Sequence, residues 1–183
     1  RDDYNRFEQL EHIFMKYGEN YGIDYLMAAA QGYQESRLDQ SARSKAGAIG
    51  VMQLLPSTAR DRNVDIHNIH EVDANIHAGI KYLNFLREYY FSDPAIDDTN
   101  RTLLALAAYN VGPGRMGELR ERAERDGYNP NVWFDNVELV AARQVGREPV
   151  QYVANIYKYY LAYRFSAGPV QQRRAARVRA GIE

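Results

Sequence analysis

The sequence contains no cysteine, only one tryptophan and only six prolines among its 183 residues. Without cysteine, disulfide bonds and thiolate chemistry are excluded. No apolar run approaches the roughly 20 residues of a membrane-spanning helix, and signals for β-strands are almost absent. The chain starts at Arg1 with no visible secretory signal, so we expect an excised domain of a longer protein. Its length predicts one domain with a sizeable core.

Charge is nearly balanced, with a formal net charge of −1, but it is unevenly distributed. Residues 1–168 carry 19 basic and 23 acidic side chains, whereas residues 169–183 carry four arginines and one glutamate. An acidic body argues against a nucleic-acid-binding surface. We therefore predict a single domain over residues 1–168, followed by a basic, flexible tail over residues 169–183.

Nearly every periodic apolar segment has helical spacing. Asp24 and Asp73 are expected to cap two of the helices, and Thr99 to begin a third. Pro56 suits the first turn of a short helix. Residues 39–54 are rich in Ser, Ala and Gly, and predict turns with at most a short hairpin. The pattern predicts a compact, mainly helical domain.

Glu35 stands where an apolar helix, "YLMAAAQGY", meets this turn-rich segment. At about 100° per residue it shares a helix face with Ala28, Gln31 and Gly32. Such small neighbours leave room for a ligand and allow a carboxyl group to be partly desolvated, which raises its pKa. A glutamic acid kept protonated near neutral pH can act as a general acid. The alternative is an ordinary solvated glutamate near a helix end.

Three sequence blocks occur in a fixed order around and after this residue. The first, "ESRLDQSARSKAGAIGVMQLLPSTA", begins at Glu35; "LAAYNVGPG" covers residues 106–114 and "QYVANIYKYY" covers 151–160. Together they resemble the Glu-Ser, Ser-x-x-Gly-Ala, Gly-x-Met-Gln, Ala-Tyr-Asn-x-Gly and Tyr-Val-x-x-Ile motifs of the lysozyme-like lytic transglycosylases of bacterial cell walls. The resemblance covers about residues 20–165, and is greatest to catalytic modules of the membrane-bound F type. Departures at Leu38, Gln40 and Val51 affect the shape of the loop and leave the proposed acid in place.

The resemblance implies a mainly α, lysozyme-like fold of the goose-type or soluble lytic transglycosylase kind, with at most a very short β-hairpin. It also implies non-hydrolytic cleavage of peptidoglycan between N-acetylmuramic acid and N-acetylglucosamine, giving 1,6-anhydromuramoyl ends. Glu35 is then acid and base in turn, and the substrate's N-acetyl group replaces a second carboxylate. Glycosidases usually need two carboxyl groups, and Asp39, Asp61 and Asp65 are the other candidates. None of them belongs to a family motif.

The same motifs suggest six substrate-binding residues: Ser44, Met52, Gln53, Tyr109, Asn110 and Tyr152. Three of these have structural alternatives. Ser44 suits a turn, the side chain of Met52 suits core packing, and Asn110 suits the turn before Gly112. Tyr128, Trp133 and Phe134 are candidates for stacking on sugar rings, with burial as the alternative.

The resemblance further implies peptidoglycan strands as the partner, no nucleic acid, and no cofactor. It implies a periplasmic location, with outer-membrane association and an additional N-terminal solute-binding-like domain in the full-length protein. His67 and His70 have a spacing that can bind metal, but too few ligands converge there and we predict no metal site. Two alternative functions remain: a hydrolytic muramidase of the same fold, and a non-catalytic wall-binding module.

Overall fold

The computed structural model describes residues 2–181 and is built almost entirely from helices. Within that range the chain forms eight α-helices and one short irregular turn at Trp133–Val137, which is kinked at Phe134 and Asp135. The helices are α1 Asp2–Tyr21, α2 Tyr25–Ser36, α3 Pro56–Arg60, α4 Val72–Tyr90, α5 Asp98–Val111, α6 Pro113–Arg125, α7 Glu138–Gln144 and α8 Arg147–Arg179. The prediction of a mainly helical fold is confirmed.

Two helices, α2 and α5, form the centre of the molecule. α2 packs against α1 and α8, and α5 packs against α4, α6 and α8. Residues 26–32 of α2 and 103–108 of α5 are all buried, as expected for helices surrounded by other elements. The loop after α2 packs closely against that helix at Gly32, because a Cβ built there would lie 3.1 Å from side-chain atoms of Leu38 and Val51.

Several local predictions hold. The carboxylate of Asp24 accepts a hydrogen bond from the backbone N–H of Leu26 and caps α2. Pro56 is the first residue of α3. Among residues 2–181, extended pairing outside the helices is limited to the single bridges between Arg43 and Ile49 and between Ile49 and Leu54.

One predicted cap is wrong, and α5 begins at Asp98 rather than at Thr99. Asp73 does not cap α4, because the helix begins at Val72 with Glu71 before it. The Asp73 carboxylate instead accepts a hydrogen bond from the hydroxyl of Tyr17 on α1, so a tertiary contact outweighs the local capping preference. α8 continues to Arg179, and the domain boundary at residue 168 remains a prediction. The flexibility of the tail remains a prediction.

No helix in the described part of the chain is both long enough and apolar enough to cross a membrane.

Candidate active site

Glu35 lies in the last turn of α2, next to the loop that follows it. The helix ends because Arg37 and Leu38 both adopt left-handed backbone conformations, with φ of 54° and 61°. The hydroxyl of Ser36 donates to the carbonyl oxygen of Val51 at 2.8 Å and fixes the loop against the helix end. The carboxyl end of a helix carries the negative pole of its dipole, which disfavours an ionised carboxylate.

The environment of Glu35 favours its protonated form. The pKa of Glu35 is raised to about 7, because the effect of burial, with a smaller contribution from the charge of Glu148, outweighs the lowering by the hydrogen bond from Tyr152. An unperturbed glutamate has a pKa of about 4.3. The protonated and ionised forms of Glu35 are therefore both well populated near neutral pH, as acid–base catalysis requires.

Tyr152 on α8 is the direct hydrogen-bond partner of Glu35. Its hydroxyl donates to Glu35 Oε1 at 2.5 Å, and accepts a hydrogen bond from Gln31 Nε2 at 3.2 Å. Gln31 is fully buried and Tyr152 is only 5% exposed. This chain of two bonds fixes the direction of the tyrosine hydroxyl, and through it the orientation of the carboxyl group.

The loop at residues 49–53, which faces the end of α2, is held by the side-chain amides of residues elsewhere in the sequence. Asn75 on α4 is fully buried; its Nδ2 donates to the carbonyl of Ile49 at 2.9 Å and its Oδ1 accepts from the N–H of Met52 at 2.8 Å. Gln40 Oε1 accepts from the N–H of Val51 at 3.0 Å. Gly50 has a φ of 78°, and a Cβ built there would lie 2.5 Å from both amides, so glycine is required.

Tyr109, near the end of α5, joins this loop to the carboxyl group. Its hydroxyl donates to the carbonyl oxygen of Met52 at 2.8 Å. Burial raises the pKa of Tyr109 well above its ordinary value, and the charge of Glu35 adds to the effect. Tyr82 on α4 packs against the ring of Tyr109, with ring centroids 5.2 Å apart.

The other predicted residues have different surroundings. Ser44 is exposed, and its hydroxyl accepts from the N–H of Ala48 at 3.0 Å, so it serves the turn. Gln53 Nε2 donates to the carbonyl of Gly50 at 2.8 Å and stabilises its own loop. Met52 is fully buried, and its side chain packs against Gly79 on α4. In this structure Met52 reaches the site through its backbone carbonyl, so the expectation of side-chain contact with sugar is not supported.

Asn110 is half-buried beside Tyr109 at the end of α5. The structure therefore brings Glu35, Tyr109, Tyr152 and the backbone of Met52 together. Contact of Ser44, Gln53 and Asn110 with substrate remains a prediction.

Three residues that the sequence motifs did not assign belong to the same region: Gln31, Tyr82 and Glu148. Gln31 was identifiable as a polar residue on the Glu35 face of an otherwise apolar helix. Tyr82 and Glu148 become relevant only through contacts with distant residues, which no local pattern reveals.

The remaining candidates do not join the site. Trp133 is fully buried, so its predicted alternative, burial, is confirmed, and Phe134 packs edge-on against Tyr157. His67 contacts Asp65, and the backbone carbonyl of His70 accepts a hydrogen bond from Gln40 Nε2. Among the described residues, no three His, Cys, Asp or Glu side chains are grouped so as to hold a metal ion.

Comparison with known proteins gives a consistent family. Residues 12–132 match the Transglycosylase SLT domain. The chain is 38% identical over 169 residues to membrane-bound lytic murein transglycosylase F 1 of Alkalilimnicola ehrlichii, covering 85% of this chain and 33% of that protein. It is 35% identical to membrane-bound lytic murein transglycosylase F of Pseudomonas fluorescens strain Pf-5, covering 85% of this chain and 34% of that protein. The chain thus spans about a third of the length of these relatives.

A solved structure shares the fold. It is an inactive glutamate-to-glutamine mutant of the lytic transglycosylase Slt from Pseudomonas aeruginosa, with a TM-score of 0.63 and 25% sequence identity. The match covers 86% of this chain and 24% of that one, so the lysozyme-like fold expected from the sequence is confirmed. Since the family match covers most of the chain and includes Glu35 and Tyr109, this protein belongs to the transglycosylase SLT domain family.

Proposed function

We propose that this chain is the catalytic domain of a peptidoglycan lytic transglycosylase. The observation that carries the proposal is Glu35, a half-buried residue whose carboxyl group has a pKa raised to about 7 and a hydrogen bond from Tyr152. The relatives are lytic murein transglycosylases by name. The reaction is cleavage of the β-1,4 bond between N-acetylmuramic acid and N-acetylglucosamine without consumption of water.

Glu35 acts first as an acid. In its protonated form it donates its proton to the glycosidic oxygen, so the N-acetylglucosamine part leaves with a free hydroxyl group. The N-acetyl oxygen of the muramoyl sugar assists at the anomeric carbon as that bond breaks. No protein nucleophile is needed because the assisting oxygen is part of the substrate and already close to the reacting carbon.

Glu35 then acts as a base. The carboxylate removes the proton from the muramoyl 6-hydroxyl, whose oxygen attacks the anomeric carbon and displaces the N-acetyl oxygen. The product carries a 1,6-anhydro bridge, and Glu35 returns to its protonated form. The hydroxyl of Tyr152 supports the ionised intermediate stage, because hydrogen bonds to the charged form of a carboxyl group stabilise that form.

The surroundings of the other carboxylates favour this one-carboxylate mechanism over hydrolysis. Asp39 accepts hydrogen bonds from the N–H and hydroxyl of Ser41. Asp61 accepts from Asn63, and Asp65 contacts His67. Each one is engaged within its own turn, and Glu148 is the other carboxylate whose charge acts on Glu35. Glu148 is exposed in the first turn of α8.

Mass spectrometry of muropeptides released from purified peptidoglycan tests the proposal. We expect anhydromuramoyl products from the unmodified chain and from Glu148→Gln, and none from Glu35→Gln. Reducing-end products that disappear in both variants would assign a two-carboxylate hydrolase. Equal wall lysis by Glu35→Gln and the unmodified chain would show that this site is not catalytic.

We also propose that the domain works in the periplasm as part of a longer, outer-membrane-associated protein with a solute-binding-like N-terminal domain. The membrane-bound relatives, of which this chain covers about a third, motivate this proposal. Fractionation of cells that express the natural gene provides the test. Recovery of the full-length product only from the cytosol would contradict it.

A further inference from the structure

A cavity with a volume of about 200 Å³ lies where the starts of α2 and α5 meet the end of α4 and the middle of α8. Four of its lining residues are charged: Asp24, Arg87, Asp98 and Arg164. Asp24 precedes the first turn of α2, whereas Glu35 lies in the last turn of the same helix. The 11 residues between these positions correspond to about 16 Å along the helix. The cavity is therefore separate from the candidate active site.

Arg87 is the buried cation of this cavity. The residue is only 5% exposed, and its Nη2 donates to Oδ1 of Asp98 at 2.6 Å. Among the described residues, its Nε has no hydrogen-bond partner. Buried donors in native proteins are normally paired, and leaving one unpaired is unfavourable. An acceptor bound in the cavity beside this guanidinium group would therefore stabilise it.

Arg164 is a second cation in the wall of the cavity. It is exposed, and its guanidinium group lies over the ring of Tyr160, 5.7 Å from the ring centroid. In the part of the chain that the structure describes, no carboxylate forms an ion pair with it. Guanidinium groups suit the planar geometry of carboxylates, so the cavity has two groups that can bind the carboxylate of a ligand.

Two aspartates balance the charge of these arginines. Asp24 uses Oδ1 to cap α2 and Oδ2 to accept from the hydroxyl of Tyr160 at 2.9 Å. Asp98 accepts from Arg87 through Oδ1, and its side chain is 86% exposed, which leaves Oδ2 able to accept from a ligand. An anion alone would be repelled by the carboxylates, and a cation alone by the arginines. A small ligand with one charge of each sign suits both pairs.

The rest of the wall includes apolar surface. Ile23 and Met27 are 6% and 7% exposed, and Tyr157 lines the same space. A water molecule occupies about 30 Å³, so a volume of about 200 Å³ admits a small organic molecule but not a polymer. A carboxylate, an ammonium group and an apolar group on one small molecule are the features of an α-amino acid.

We propose that this cavity binds a free α-amino acid with an apolar side chain. The carboxylate of the ligand is bound by Arg87 and Arg164, and its ammonium group is bound by Asp98. The side chain of the ligand packs against Ile23 and Met27. This site is additional to the catalytic function proposed above and does not depend on it.

Calorimetry with leucine and close analogues tests the class of ligand. 4-Methylpentanoate is leucine without its amino group, and 3-methylbutylamine is leucine without its carboxylate. We expect each analogue to bind about tenfold or more weakly than leucine, because each lacks one charge-assisted contact. Leucylglycine, whose ammonium and carboxylate groups are farther apart, should also bind more weakly than leucine.

Exposed residues of the wall allow the location to be tested without a change in the core. Arg164→Gln removes a cation, and Asp98→Asn removes a negative charge but keeps an oxygen for the hydrogen bond from Arg87. We expect each variant to bind leucine about tenfold more weakly. Leucine should also raise the midpoint of thermal unfolding less than in the unmodified chain, because a ligand that binds the folded state stabilises it. The matched control is Arg143→Gln, since Arg143 is also exposed and lies over a tyrosine ring, that of Tyr128.

Four results would overturn the proposal. Absence of both calorimetric heat and a thermal shift with leucine at about 10 mM would exclude the site. Equal affinity for leucine and either analogue would show that one of its two charged groups is not recognised. Unchanged leucine binding by both Arg164→Gln and Asp98→Asn would locate the bound amino acid elsewhere. Tighter binding of leucylglycine than of leucine would assign the cavity to a peptide instead.

Discussion

Replacing Glu35 by glutamine should stabilise the protein at alkaline pH and leave its stability at acidic pH unchanged. The substitution removes the ionisable group but keeps an oxygen that can accept the hydrogen bond from Tyr152. Ionised Glu35 is costly in the folded state because burial disfavours its charge and raises its pKa to about 7. In the unfolded chain the same group has a pKa of about 4.3.

The sign and size of this effect on the free energy of unfolding follow from proton linkage. Between about pH 4.3 and pH 7 the folded chain binds more protons at Glu35 than the unfolded chain, so the free energy of unfolding falls as pH rises. The stabilising contribution of protonated Glu35 to the free energy of unfolding is fully present below about pH 4.3 and is lost above about pH 7. The difference between the two pKa values, at about 1.4 kcal/mol per pH unit, corresponds to about 3–4 kcal/mol. Relaxation around the carboxylate makes this an upper limit.

Urea unfolding across this pH range provides the measurement. The difference in unfolding free energy between Glu35→Gln and the unmodified chain isolates Glu35, because the other titrating groups are common to both proteins. We expect a difference near zero at pH 4 that grows in favour of the variant up to about pH 8. Glu121→Gln, a change at an exposed glutamate on α6, supplies the control. A Glu35→Gln difference that does not vary with pH would refute the argument from burial.

Three further changes test the geometry around Glu35. Tyr152→Phe removes the hydroxyl whose hydrogen bond lowers the pKa of Glu35, so the alkaline limb of the pH–rate profile should move to higher pH; an unchanged profile would contradict the contact. Asn75→Ala leaves the N–H of Met52 and two backbone carbonyls without this partner and should cost about 3–4 kcal/mol in urea unfolding. Gly79→Ala places a Cβ 2.5 Å from Met52 Cβ and should lower the free energy of unfolding by about 1–3 kcal/mol. An unaltered midpoint of urea unfolding would show that Met52 moves freely.

Local patterns predicted those parts of the fold that depend on neighbouring residues. The cap at Asp24, the proline at the start of α3 and the position of Glu35 at a helix end all follow from short-range preferences. The predicted cap at Asp73 was wrong because its carboxylate instead accepts a hydrogen bond from the hydroxyl of Tyr17, 56 residues away in sequence. Local preference decides an element only where no distant partner competes for the same group.

The sequence predicted those residues of the candidate site that belong to a motif. It did not predict the residues that tertiary packing brings to the site. The motifs indicated Tyr109 and Tyr152, although Tyr152 is 117 residues from Glu35 in sequence. They also indicated the Gly50–Gln53 segment, but not that Asn75 holds it or that the Met52 side chain faces the core. A buried asparagine on a helix is visible in the sequence only as a polar residue, and its partners are determined by the tertiary fold.

The two proton transfers proposed for Glu35 would explain why a single carboxylate suits this site. A group that must first give and then take a proton is most effective when its pKa lies near the working pH, because neither form is then expensive to reach. Enzymes with two catalytic carboxylates need the opposite arrangement, in which the environments separate the two pKa values and assign one role to each group. Here burial raises the pKa of Glu35 towards neutrality while Tyr152 limits the increase. The same balance that lowers stability above pH 7 thus keeps both forms of Glu35 accessible within the proposed catalytic cycle.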